Sequence, residues 1–426
     1  MTTLRSTRSL TTGLLATAAF ITPAAQAETE LEILRRDMQT MQAELAVLKS
    51  DNAASNPLAT NTPDNPPHDT HMQDDAVMTG GHNGKKFVLQ SDDGNTTLNL
   101  GAQVQTRYIF NVRDGAGSSD VLNGFQLRRT KVKGSGHIAS PKISYYLTLA
   151  GNRDSNAVSL EHARLGYTFD NGVRLDLGRF KAPFSFDELT SSSKQQAAER
   201  SFINEQFTLG SVEGLQATFV PADHTKVRVM LNDGIGSGES GNGDFNETPT
   251  DFALTTRVDY QLMGDKKGSF IKDYTSWSTD ERSINIGGAI HFQVDDDDDT
   301  TFADDVTLFT ADVLYNEAGK SAFAAIYVGD NGTDNSFGFQ LQGGYNINDT
   351  WEPFARFGFV DDGNNENSLV TLGVNYFIKK HAAKFTVDGT FAFDELTNVG
   401  DSLGLEEDVP GNDGQFALRV QFQLLF

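Results

Sequence analysis

The 426-residue sequence contains no cysteine. Disulfide frameworks, thiolate metal sites and cysteine nucleophiles are therefore excluded. Long apolar runs are also missing: none approaches the roughly eighteen residues that a membrane-spanning helix requires. That rules out a helical membrane protein but leaves a membrane β-barrel open, because a barrel strand gives a much weaker signal. Basic charge is scarce, with 34 Lys and Arg against 58 Asp and Glu, a net −24. A nucleic-acid partner is not expected from that balance. Neither G-x-S-x-G nor H-E-x-x-H accompanies His162 or His291, so no enzyme and no catalytic residues are expected. The run Asp295–Asp299 lacks the Gly and closing Glu of a calcium loop, and no metal or cofactor site is expected.

The N-terminus has what the rest lacks. Arg5 and Arg8 precede the apolar stretch "LTTGLLATAAFI", and "AQA" follows at Ala25–Ala27. Residues 1–27 read as a secretory signal peptide. Removing it leaves 32 basic residues against 58 acidic ones, a balance of −26. In residues 28–49, Leu31, Leu34, Met38, Met41, Leu45 and Leu48 recur at three-four spacing. This is an a/d seam of about three heptads, an oligomerising coiled coil. Residues 50–94 include "SDNAASNPLATNTPDNPPHDTHMQDD", a composition that reads as a flexible linker. A helix isolated by such a linker has no surface of its own chain to pack on, so it is expected to self-associate.

From residue 95 to 426 the period is two. In "TLNLGAQVQTRYIF", Leu98, Leu100, Ala102, Val104, Tyr108 and Phe110 share one face, and Asn99, Gln103, Gln105 and Arg107 the other. About sixteen such segments follow one another, the first near 97 and the last near 415. Short links such as "DNG" and "PADH" alternate with long polar ones. The expected fold is all-β: a transmembrane antiparallel barrel of about sixteen strands, preceded by the α-helical coiled coil. One link breaks the alternation, since residues 261–282 stand where a short turn belongs. The closing "QFALRVQFQLLF" puts Phe416, Leu418, Val420, Phe422, Leu424 and Phe426 on one face and ends on the Phe. That resembles the assembly signal of outer-membrane barrels.

Alternation stops in "GRFKAPFSFDELTSSSKQQAAERSF", Gly178 to Phe202, and does not return until about residue 213. This insert (178–212) follows the fifth segment on the long-loop rim. Phe180, Phe184, Phe186 and Phe202 offer apolar anchors, and Arg179, Lys181, Lys194 and Arg200 offer charges that can face a passage. Together with "GFQLRRTKVKGSG" and the closing "RVQFQLLF", the insert resembles the phosphate-selective porin O/P family over roughly residues 95–426. The resemblance implies a sixteen-stranded trimeric porin with Arg and Lys in its lumen and an inward-folded loop.

Charge position then decides the functional reading, because a field is screened within about 8–10 Å. Most acids fall in the long links. Inward strand positions carry Arg107, Arg164, Arg228 and others, against Asp176, Asp259, Glu352 and Asp388. In "QLRRTKVK" the parity slips at Arg128–Arg129, and a β-bulge there turns both inward, ahead of Lys131. The expected pore lining is Arg107, Arg128, Arg129, Lys131, Arg164, Lys181, Lys194, Arg200 and Arg228. Arg suits oxyanions because its planar fork gives two parallel hydrogen bonds. The expectation is a water-filled channel for passive diffusion of small anions, phosphate among them. The alternatives are an unselective or cation-preferring porin, and a coiled-coil tether between outer membrane and cell wall. Expected partners are outer-membrane lipid, two further copies of the chain, small anionic solutes and the cell wall, with the coiled coil in the periplasm.

Overall fold

The computed structural model describes residues 78–83, 86–113, 121–152, 156–235, 250, 252–264, 270, 273–277, 282–294, 305–330, 335–396, 403–408 and 414–426. The signal peptide, the heptad helix, most of the linker and Asp295–Asp299 lie outside the described residues.

Sixteen strands close on themselves: β3 (Thr97–Arg113), β4 (Val121–Ile138), β5 (Ser140–Asn152), β6 (Ala157–Thr168), β7 (Arg174–Lys181), β8 (Ser211–Ala222), β9 (Thr225–Asn232), β10 (Phe252–Met263), β11 (Ser283–Val294), β12 (Val306–Glu317), β13 (Lys320–Asp330), β14 (Asn335–Tyr345), β15 (Trp351–Asp361), β16 (Glu366–Lys379), β17 (Ala383–Ala392) and β18 (Gln415–Leu425). Each pairs antiparallel with its neighbours in sequence, and β18 pairs with β3 from Gln415↔Arg113 to Leu425↔Gln103. Closure leaves no free edge in the ring. The period-two reading of the sequence located all sixteen strands.

Alternation sorts the side chains. Leu100, Val104, Phe309, Val328, Leu341 and Leu424 sit on the outward parity, while Gln103, Gln105, Arg107, Gln340, Asn375 and Arg419 are buried inside. Aromatics gather near the strand ends on the outer surface. Tyr167 meets Phe169 and Trp351 meets Tyr376 at one rim, and Phe391 meets Phe416 toward the other. An apolar band between aromatic girdles, around a polar interior, is the arrangement that lipid outside and water inside require.

The rim bearing the short links has tight hairpins. Ala318 and Gly319 both take positive φ, as do Asn348 and Asp349, which matches the twist of the flanking strands. Apart from the link between Met263 and Ser283, the long links join strand ends at the opposite rim.

Two features differ from the sequence reading. Residues read as the end of a linker form a hairpin, β1 (Met78–His82) with β2 (Phe87–Ser91). β2 pairs with β3 from Phe87↔Leu100 to Gln90↔Thr97, just past the point where Phe426 ends its pairing at Ala102. Two five-residue strands, one of them reading "MTGGH", carry too little alternation to be recognised without that partner edge. The insert is also shorter than the alternation suggested, because β7 runs on to Lys181 and β8 begins at Ser211.

Candidate functional site: a loop folded into the barrel

Residues 182–210 leave β7 and return to β8 inside the ring. The segment carries two short helices, α1 (Phe186–Leu189) and α2 (Phe202–Phe207). Ser185 caps the first by accepting from Glu188 N, and Ser201 caps the second by accepting from Asn204 N, so each satisfies a backbone donor that the helix leaves free. Asp187 joins the helices by accepting from Ser201 N at 3.1 Å.

The Phe anchors behave as the sequence suggested. Phe180, Phe184 and Phe202 are buried, and Phe186 packs against Phe323 of the wall. α2 lies on inward glycines: a Cβ on Gly338 would stand 2.6 Å from Phe207, and one on Gly358 would stand 2.6 Å from Ile203. Only glycine lets the helix approach so closely.

Polar wall residues hold the loop's backbone. Arg257 donates to Phe184 O at 2.7 Å, Lys384 to Gln195 O at 2.6 Å and Arg356 to Glu199 O at 3.0 Å. Asn375 and Gln423 donate to the carbonyls of Gln196 and Ser193. Several inward cations are thus consumed in fastening the loop to the wall from β10 round to β18.

The nine cations expected to line the pore do not form one zone. Arg107, Arg128 and Arg129 converge on Glu199. Arg128 Nε lies 2.6 Å from Oε2, Arg107 Nη1 3.4 Å from the same oxygen, and Arg129 donates to Oε1. The register of β3 and β4 shifts here, Gln105 facing Arg129 and Thr106 facing Leu127, so the bulge at Arg128 turns both arginines inward. Burial pushes the Glu199 carboxyl up, but Arg129, Arg128 and Arg107 outweigh it and hold it well below the usual range.

A second group surrounds a cavity of about 320 Å³ between the loop and the wall from β4 to β9. Lys131, Lys133, Arg164, Lys181, Arg200 and Arg228 line it, with Glu161 the one carboxylate among its lining residues. Lys131 pairs with Glu161, and Lys133 donates to Gln103 at 2.6 Å. Arg164 reaches Asp176 at 3.4 Å and lies 5.7 Å from the ring centres of Tyr146 and Phe180. Arg228 bonds Asp259 at 2.5 Å. Lys181 and Arg200 both turn to Glu188, at 3.2 Å each. Burial raises the Glu188 carboxyl, but Arg200 and Lys181 bring it down to about 2. Lys194 stands apart in a neighbouring cavity of about 300 Å³ and pairs with Asp273 at 2.9 Å.

Arg179 is a correction. It shares the outward parity of Leu177, directly opposite Glu213 of β8, and does not face the lumen. The functional residues missed from sequence are mostly the partners: Glu161, Glu188, Glu199, Asp273 and Asp312, the last paired with Arg257 at 2.7 Å. Glu188 and Glu199 were visible within the insert, but a single chain does not say which cation each one meets. Glu161 was hidden by a second bulge, where Thr148 faces His162 and Leu149 faces Leu160.

Comparison with known proteins rests on this barrel and its inner loop. The family described as Phosphate-selective porin O and P matches residues 98–258, the span that holds the β4 bulge and the inserted loop. Over those residues the chain is similar to that family. Among solved structures, this chain is similar to an anion-selective porin from Comamonas acidovorans, with a TM-score of 0.56, 13% identity, and coverage of 78% of this chain and 100% of the other. It also resembles OprB of Pseudomonas putida, with a TM-score of 0.53, 10% identity and coverage of 77% and 94%. At these identities the likeness is one of fold. A sequence relative, an uncharacterized protein of Aquifex aeolicus (strain VF5), is 26% identical over 260 residues, which are 53% of this chain and 61% of that protein.

Proposed function

We propose that this porin forms a water-filled outer-membrane channel for passive diffusion of small anions, with phosphate a candidate solute. One observation carries the reading: the cavity beside the loop is lined by six cations and one carboxylate. The family match over residues 98–258 supports a channel rather than an enzyme. Fixed cations in a confined passage lower the barrier for an anion, and several sites in series let it leave again. In this reading lipid surrounds the barrel, three copies assemble, and residues 28–49 form a coiled coil in the periplasm.

The ion pairs favour a second reading, an unselective channel. Glu199 balances three arginines, and Asp259 is shared among Lys226, Arg228 and Arg257. Reversal potentials in a planar bilayer under a KCl gradient separate the two. The anion reading expects the wild type to favour chloride, and Lys133→Glu with Arg164→Glu to move the potential toward cations. A wild type that favours potassium defeats it.

A further inference from the structure

The link from β10 to β11 is the one that broke the short-turn rule, and its buried residues Phe270, Tyr274, Thr275 and Ser276 lie inside the barrel. Asp273 bonds Lys194 at 2.9 Å, at the far end of the inserted loop, and lies 3.7 Å from His381. Thr275 donates to Glu352 at 3.3 Å, and Glu352 also accepts from Gln196 of the loop at 2.9 Å. Tyr274 is 1% exposed and packs edge-on against Phe186 of α1 and Phe323 of β13. Trp277 packs on Phe377 and His381. The link therefore meets the loop through an ion pair, a shared carboxylate and an aromatic contact.

We propose that the described stretch 273–277 of this link, with Phe270, is a second constriction element on the short-turn side, and that Asp273 is a specificity-determining residue of the channel. This rests on the porin reading. The loop descends from one rim and the link rises from the other, and they join at Lys194. Two consequences follow from the geometry. The link occupies lumen beside the cavity that holds Lys194, Lys226 and Arg228, so it limits the cross-section there. Asp273 also cancels the charge of Lys194, the most exposed cation of the inserted loop, so this cavity is close to charge balance with Asp259 and Asp312. The neighbouring cavity keeps a smaller positive excess, because Asp176, Glu188 and Asp259 pair with four of its six cations. Ions meet two different fields on the two sides of Leu189 and Ser191, which line both cavities.

The cysteine-free chain allows a direct test. In the variant Lys194→Cys with Asp273→Cys, a short thiol-reactive bifunctional reagent should join the two positions in folded, heat-modifiable barrels, read as a linked peptide by mass after digestion. A folded barrel without that link overturns the placement. Single-channel recordings test the role. Asp273→Asn, close to isosteric, should shift the reversal potential toward anions. Tyr274→Ala with Trp277→Ala should give a conductance above that of wild-type channels. Unchanged potential and unchanged conductance overturn the constriction. A wild type with no conductance would sink the porin reading instead, and the crosslink alone would then decide where the link lies.

Discussion

Arg128 Nε lies 2.6 Å from Oε2 of Glu199, across 71 residues of chain, and the contact exists because a bulge turns a side chain that regular pairing would send into lipid. With Arg107 and Arg129 on the same carboxylate, Glu199 is the pin that fastens the return arm of the loop to β3 and β4. Removing one partner of a buried ion pair costs about 3–5 kcal/mol, because the remaining charge is left without compensation. Glu199→Gln should therefore lower the temperature at which the barrel loses its heat-modifiable band. Channels that still form should be more anion-selective, since three arginines keep their charge. The carboxyl is depressed in the folded state, so its contribution holds above the ordinary carboxylate range and fades as pH falls through the folded value. An unchanged melting temperature would show that Glu199 does not hold the loop.

The glycine seat under α2 gives a steric prediction. A Cβ on Gly338 or Gly358 meets Phe207 or Ile203 at 2.6 Å, and overpacking of this kind costs about 1–3 kcal/mol. Gly338→Val with Gly358→Val should lift α2 from the wall while the strand ladders persist. Conductance should rise, and protease should cut within residues 182–210 faster than in the wild type. Wild-type conductance and cleavage rate would mean that the seat is not needed.

How much of this was legible in the sequence depends on its period. The sixteen strands, the inward polar row of Gln103, Gln105 and Arg107, and the slip at Arg128 all follow from counting by twos. Lys194 and Arg200 could be placed in the lumen with their loop, but not paired, because Asp273 and Glu188 reach them through tertiary folding that no local pattern encodes. Arg179 was misread because alternation was judged to stop at Gly178. Gly178 has a φ of +122°, yet the register of β7 with β8 runs unbroken through it. The hairpin β1–β2 was missed since its signal lies in the edge of β3 that it covers.

Glu205 gives the channel a pH dependence. It lies on α2, half-buried, and burial together with Glu199 pushes its carboxyl up to about 8, against Arg128, Arg419 and Arg356. The folded barrel keeps this proton where the unfolded chain has lost it, so the group's contribution to stability falls as pH rises from the ordinary value toward about 8, then levels off. A negative charge appears in the lumen over the upper part of that window. The reversal potential should move toward cations between about pH 6 and about pH 9, and Glu205→Gln should remove most of the movement. If wild type and variant follow the same curve across this range, another group sets the dependence.

The last residue closes the ring. Phe426 N donates to Ala102 O at 3.2 Å, its carbonyl accepts from Ala102 N, and its neighbour Leu425 pairs with Gln103. The ring lies on the outer surface, 45% exposed, at the rim where β2 takes over the edge of β3. Deleting Phe426 removes the final pair of ladder bonds and leaves backbone groups of Ala102 unpaired at the membrane boundary, where water only partly replaces them. It also removes the exposed ring of Phe426 from the outer surface. Phe426→Tyr keeps backbone and ring and should assemble like the wild type. The deletion should lower folded outer-membrane protein and leave unfolded material in the periplasm. Phe426→Ala, which keeps the backbone pairs and loses only the ring, separates the two causes. Wild-type amounts of heat-modifiable protein in both the deletion and the Ala variant would show that neither closure at Ala102 nor the terminal ring limits assembly.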